Sequence, residues 1–157
     1  MFARNAYLRV CYREYDFSDA ESFRDAMLAH FSARPLLVQF KERKIVAIRK
    51  TSLHDQIFAL LDPVDDGFYI ALNRESTMRQ WLADIGHELA HTFHFDATKQ
   101  PPENWFPGYQ WGQDEMLENF CDSFARRWLL QDQNLREFVA LLQSEWQGDV
   151  LWIPTPL

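Results

Sequence analysis

The spacing of apolar residues changes several times along the chain, and each change predicts an element. Ser18-Asp19-Ala20-Glu21 has the form of a capping box, in which hydroxyl and carboxylate satisfy opposite backbone donors, so a helix is expected over about 19 to 31. After Pro35, the runs LLVQF and KIVAI flank Lys41-Glu42-Arg43-Lys44, and their β-branched, partly alternating character predicts two strands joined by a charged turn. QIFALL and GFYIAL face each other across a stretch dense in turn residues, Asp62-Pro63-Val64-Asp65-Asp66-Gly67, which predicts a second hairpin, although QIFALL also suits a helix. From Ser76-Thr77 the period becomes helical. Met78, Trp81, Leu82, Ile85, Leu89 and Phe93 fall on one stripe at ~100° per residue, giving a helix over about 77 to 95.

Residues 97–114 contain three prolines, two glycines and four aromatics (Trp105, Phe106, Tyr109 and Trp111) without any period, as in a long ordered loop. A third helix follows over about 114 to 131, with Leu117, Phe120, Cys121, Phe124 and Trp128 on its core stripe. A fourth, near 133 to 146, carries Leu135, Phe138, Leu142 and Trp146. The tail GDVLWIPTPL is aperiodic.

Composition adds limits. A chain of 157 residues, 47% hydrophobic, has the size and make-up of one globular domain, here 1–157. Sixteen basic against 23 acidic residues give a net charge of -7 with no basic block, which argues against a nucleic-acid partner. The first residues interrupt their apolar positions with Arg4, Arg9 and Arg13, unlike a signal peptide, and no apolar run has membrane length; a cytoplasmic protein is expected. Cys11 and Cys121 stand apart and outside any CxxC pattern, so both are expected as buried thiols rather than a disulfide or a Cys-rich zinc site.

The chemistry concentrates in WLADIGHELAHTFHF. His87 and His91 lie one helical turn apart, ~40° from each other on the wheel and roughly opposite the Trp81/Ile85/Leu89 stripe, so both imidazoles can reach one cation while Glu88 projects beside them. Two histidines do not complete a catalytic zinc site, which needs a third protein ligand and one open position. Ten residues after His87 stands Ala97, so a third histidine at that spacing is ruled out. His94 shares the helix with the other two and converges poorly on the same ion. Downstream, in DEMLENFCDSFARRWLL, Glu118 and Asp122 sit four apart on one flank of the third helix, placing a carboxylate ligand one turn from a group that can orient a histidine. Asp114 and Glu115 are better explained by the dipole at that helix's start.

This Glu118-x-x-x-Asp122 after HELAH is similar to the gluzincin arrangement, and over about 67 to 130 the chain resembles the ImmA/IrrE-like (DUF955) metallopeptidases. The strand GFYIALN leads through a short turn into HELAHTFHF and then into ENFCDSFARRWLL. The resemblance implies an α+β, minimal zincin-like fold, with a small antiparallel or mixed sheet packed against the HExxH helix and the Glu118 helix; the C-terminal helix and tail over 133–157, read from the residue pattern, lie beyond it. It implies one Zn²⁺ per chain held by His87, His91 and Glu118, with Glu88 as catalytic base and Asp122 behind the ligands. The substrate would be a peptide or protein, with transcriptional regulators suggested by the family, and no nucleic acid or membrane.

The expected reaction is peptide-bond hydrolysis. Tyr109, His94 and Arg126 are candidate donors to the oxyanion. A substrate strand could add along GFYIALN, placing Phe68, Tyr69, Ile70, Ala71 and Leu72 at the binding site. The alternative is a catalytically silent zinc-bound interaction module, against which an intact Glu88 argues. The apolar tail Trp152-Ile153-Pro154-Thr155-Pro156-Leu157 raises a further expectation, that it lies across the cleft and restrains the enzyme.

Overall fold

The computed structural model describes residues 20–54, 57–64, 67–94, 115–144, 146 and 148–154. The capping residues Ser18 and Asp19, the loop 97–114 with Tyr109, the thiol of Cys11 and residues 155–157 lie outside these. The described part is α+β. Helix α1 (Ala20–Ser32) and helix α2 (Leu36–Glu42) precede strands β1 (Ile45–Thr51), β2 (Ala59–Val64) and β3 (Gly67–Asn73). Helix α3 (Met78–His91) runs into a 3₁₀ turn (Thr92–His94). Helices α4 (Glu115–Leu129) and α5 (Asp132–Ser144) and the short strand β4 (Val150–Trp152) follow.

The sheet is mixed, in the order β2-β3-β1-β4: β1 and β3 are parallel neighbours, and β2 and β4 are antiparallel on the outside. The β2–β3 pair is the hairpin foreseen from QIFALL and GFYIAL. Its last strand begins where only glycine fits, because Gly67 has φ 150° and a Cβ there would stand 2.0 Å from the Lys44 carbonyl oxygen. That carbonyl accepts the Phe68 amide at 2.8 Å and joins the starts of β1 and β3.

LLVQF is a helix, not the strand its β-branched look suggested. Leu36, Gln39 and Phe40 are its buried residues, which is the i, i+3, i+4 pattern of one helical face. Pro35 starts it, its carbonyl accepting the Val38 and Gln39 amides at 3.0 Å. Leu135 and Met78 were placed on core stripes, yet both are exposed; Phe138 and Leu141 fill the core from α5 instead.

The core lies between the helices and the sheet face that carries Phe68, Ile70 and Leu72. At its centre Phe93 meets Phe124 edge-on at 5.2 Å, Phe23 at 5.8 Å and Phe31 at 6.2 Å. The tail also belongs here. Leu151 and Ile153 are buried, β4 pairs with β1, and Trp152 packs edge-on against Tyr69 at 6.2 Å. Residues 150–153 are therefore part of the sheet and core, and not a strap over a cleft.

Candidate metal centre

Helix α3 starts cleanly and ends where its chemistry sits. Thr77 caps it, its hydroxyl accepting the Gln80 amide at 3.2 Å, and Trp81 Nε1 donates to the Asn73 carbonyl at 2.8 Å, tying the first turn to the end of β3. The final helical residue is His91. Helix ends fray, so a ligand there needs an anchor. Arg43 supplies one: its buried guanidinium donates to Thr92 Oγ1 at 2.9 Å and to the Thr92 carbonyl at 2.7 Å, and lies 5.2 Å from the Phe93 ring centre. Burial lowers its pKa to about 10, which leaves it charged at neutral pH against the negative end of the helix dipole.

Helices α3 and α4 pack antiparallel and approach closely at Gly86. Gly86, beside His87, permits this: a Cβ there would meet Trp128 Cε3 at 2.8 Å and the Ala125 Cα at 3.3 Å. The approach brings Glu118 and Asp122 against the two histidines. His87 Nε2 lies 3.0 Å from Glu118 Oε2 and 3.1 Å from His91 Nε2, and His91 Nε2 lies 3.2 Å from Glu118 Oε1. Asp122 Oδ1 accepts from His87 Nδ1 at 2.7 Å. Since a carboxylate can only accept, that bond fixes the proton of a neutral His87 on Nδ1 and leaves the Nε2 lone pair pointing at Glu118 and His91.

Three groups able to donate electron pairs thus converge from two helices. Protons on the ring nitrogens, or a cation in their place, can join them. Donor atoms ~2.0–2.1 Å from a tetrahedral ion stand ~3.3–3.4 Å apart, so the observed separations need to open by only a few tenths of an ångström to hold one. Two imidazoles and one carboxylate suit a divalent transition ion. Among the described residues, His87, His91 and Glu118 are the group able to do so.

The electrostatics agree with that reading. Burial disfavours a charged His87, but its bond to Glu118 and the charges of Glu88, Glu118 and Asp122 prevail and raise its pKa to about 9. The bonds from His87 and His91 hold the Glu118 carboxyl well below the usual carboxylate range. Glu88 is buried, and desolvation pushes its pKa up against the opposing pull of His91 and His87. Asp84, one turn before Glu88, is likewise raised by burial, to about 6. Its Oδ1 accepts from Gln80 at 2.7 Å, and its Oδ2 has no hydrogen-bond partner. The Cys121 thiol is fully buried beside these carboxylates and is pushed up by desolvation, as an inert core residue should be.

His87, Glu88, His91, Glu118 and Asp122 are thus brought together. Arg126 is not with them: it is exposed two turns further along α4, by a hollow at the other end of α3. Tyr109 and the side chain of His94 lie outside the described residues. The strand-addition surface needs correction, because β3 is hydrogen-bonded to β1 on one side and β2 on the other and offers no free edge. Phe68, Ile70, Ala71 and Leu72 are buried in the sheet, and only Tyr69 is partly exposed. Gly86, Arg43 and Asp84 were missed by sequence reasoning. Of these, only Gly86 carried a signal, a glycine inside an otherwise strong helix.

No family model, curated protein or solved structure matches this chain. No described helix is long and apolar enough to cross a membrane.

Proposed function

We propose that the chain is a zinc-dependent endopeptidase of minimal zincin type, in keeping with the sequence resemblance to ImmA/IrrE-like metallopeptidases. The observation that carries this reading is the buried Glu88 carboxylate set beside the His87/His91/Glu118 triangle. A zinc ion held by the three side chains supplies Lewis acidity, polarising the scissile carbonyl and making a water acidic enough to attack near neutral pH.

The protein's own groups do the rest. Asp122 holds His87 in the tautomer that presents Nε2, and Arg43 steadies the turn after His91. Glu88 takes the proton of the attacking water as the new carbon–oxygen bond forms, then delivers it to the amine nitrogen as the carbon–nitrogen bond breaks. Burial makes Glu88 a stronger base than an exposed glutamate, while nearby positive charge favours its ionised form.

A second reading is supported by one feature: the triangle joins α3 to α4, so an ion there would also staple the fold of a silent interaction module. Glu88→Gln separates the two. That variant keeps the side chain's shape and its zinc but cannot accept a proton, so turnover on a peptide library should fall ~10²–10⁴-fold. Zinc-loaded parent protein that cleaves nothing in a broad peptide and regulator-protein set would sink the peptidase reading and favour the module.

A further inference from the structure

We infer that the end of the α3–α4 groove remote from the metal cluster is a subsite for an acidic, leucine-bearing stretch of the substrate, an inference that rests on the peptidase reading above. Met78, Leu129, Leu130 and Leu135 line a hollow of about 340 Å³ there, with Arg79 and Arg126 at its rim. Three of these apolar side chains are open to solvent: Leu130 is 80% exposed and Met78 and Leu135 are each 41% exposed. Among the described residues, no carboxylate lines the hollow. Both arginines are exposed, and among the described residues neither makes an ion pair. Two arginines without an ion pair among the described residues, above an apolar floor on a chain of net charge -7, favour a ligand that brings carboxylates and leucine-like side chains together.

Helical spacing puts the hollow and the cluster on the same flank of the α3–α4 pair. Along α4, Glu118, Asp122 and Arg126 follow at four-residue steps. Along α3, His87, Ala83 and Arg79 do the same in the opposite direction, with Ala83 partly exposed between them. Eight helical residues span ~12 Å, and an extended peptide covers that in about four residues. A peptide whose scissile bond lies at the cluster therefore sends a side chain about four positions away into the hollow. This placement also gives Arg126 a role that its distance from the cluster denies it as an oxyanion donor.

The test uses the whole chain and a fluorescein-labelled peptide containing Leu-Asp-Leu-Glu, with a Leu-Lys-Leu-Lys control, followed by fluorescence anisotropy. The acidic peptide should bind more tightly than the control and more weakly as salt rises. The double change Arg79→Glu/Arg126→Glu, on two exposed residues, should weaken binding ~tenfold or more, while Arg79→Lys/Arg126→Lys keeps most of it. For a cleavable peptide with the acidic stretch four positions from the cut, the charge reversal should raise KM and leave kcat near the parent value. Equal binding of both peptides, or undiminished binding by the charge-reversed variant, overturns the subsite even if other peptides are cleaved. Arginine-dependent binding without cleavage by the parent overturns the peptidase reading instead and leaves the ligand class standing.

Discussion

Helix α4 carries two polar clusters ten residues apart, and they are built on opposite principles. Around Trp128 every named donor meets an acceptor. Trp128 Nε1 donates to Gln39 Oε1 at 2.8 Å, Gln39 Nε2 to Asn134 Oδ1 at 2.9 Å and to the Arg34 carbonyl at 3.0 Å, and Asn134 Nδ2 to the Trp128 carbonyl at 3.0 Å. Gln39, Trp128 and Asn134 are all buried and carry no charge. Around Glu118, two ring nitrogens and a carboxylate, all able to donate electron pairs, stand 3.0–3.2 Å from one another. The first cluster is complete as it stands and holds α2, α4 and α5 together. The second is a donor set that either protons or one cation can join. Surplus acceptors, rather than polarity or burial as such, distinguish a site from a strut.

The sharpest way to break the contrast is to delete one member of each cluster. His87→Ala should abolish stoichiometric zinc binding, measured by elemental analysis, because it removes one ligand and the neighbour through which Asp122 acts. Asp122→Asn leaves all three ligands and should cost ~10–100-fold in metal affinity by titration against a competing chelator. Gln39→Ala should do the reverse. It strands a buried donor on Trp128 and a buried acceptor on Asn134 and should lower unfolding free energy by about 2–4 kcal/mol in urea, with zinc stoichiometry unchanged. If Gln39→Ala lost zinc while remaining folded, the two clusters would not be separable as described.

The metal cluster was far more legible in the sequence than the strut, for a physical reason. His87 with His91, and Glu118 with Asp122, are each pairs one turn apart on one helix, so their shared face follows from the helical period alone. Gln39, Trp128 and Asn134 come from three helices, and only tertiary packing brings them together. The same distinction explains the strand errors. LLVQF satisfies both an alternating and a helical pattern, and its outcome depends on Pro35 and on which side chains are buried. Strand order is non-local: β1 pairs with β3 although β2 lies between them in sequence, so the GFYIALN strand became an interior strand with no edge to offer. Strand β4 has three residues, too few for any period to show.

Gly86 is where the two clusters touch, and a substitution there should disturb both by a smaller amount. A Cβ at 86 would press on the Trp128 ring, which its bond to Gln39 holds in place, so the helices must part or the ring must move. Overpacking of this kind costs ~1–3 kcal/mol, and any widening of α3 from α4 lengthens the gap between His87 and Glu118. Gly86→Ala should therefore lower both the melting temperature of the chelated protein and its zinc affinity. A loss of stability with zinc affinity unchanged would show that the close helix packing does not set the ligand spacing.

The smallest expected effect concerns pH and sharpens the claim that a proton and a cation compete for the same place. In the metal-free chain His87 has a pKa of about 9 against an ordinary 6.5. A folded-state pKa raised in this way stabilises the fold fully below pH 6.5 and loses that contribution as pH rises through 9. Asp84, raised to about 6, completes its titration in the lower part of this window, so the upper part, above about pH 8, belongs to His87, and Cys121, pushed well above 9, titrates after it. Glu88 is raised in the same sense as His87 and is removed from the comparison by working in Glu88→Gln, which also takes away one of the charges that raise His87, so that the loss sets in somewhat earlier than in the parent. A zinc ion held by His87 would displace its proton, so the loaded protein should not lose this contribution, and its affinity should increase over the same range as the competing proton leaves. The difference in melting temperature between zinc-loaded and chelated Glu88→Gln should therefore widen from pH 6.5 to 9. In a His87→Ala chain the same pair of measurements should coincide at every pH, because neither the proton nor the ion has a place to bind; a widening gap there would assign the linkage to some other group.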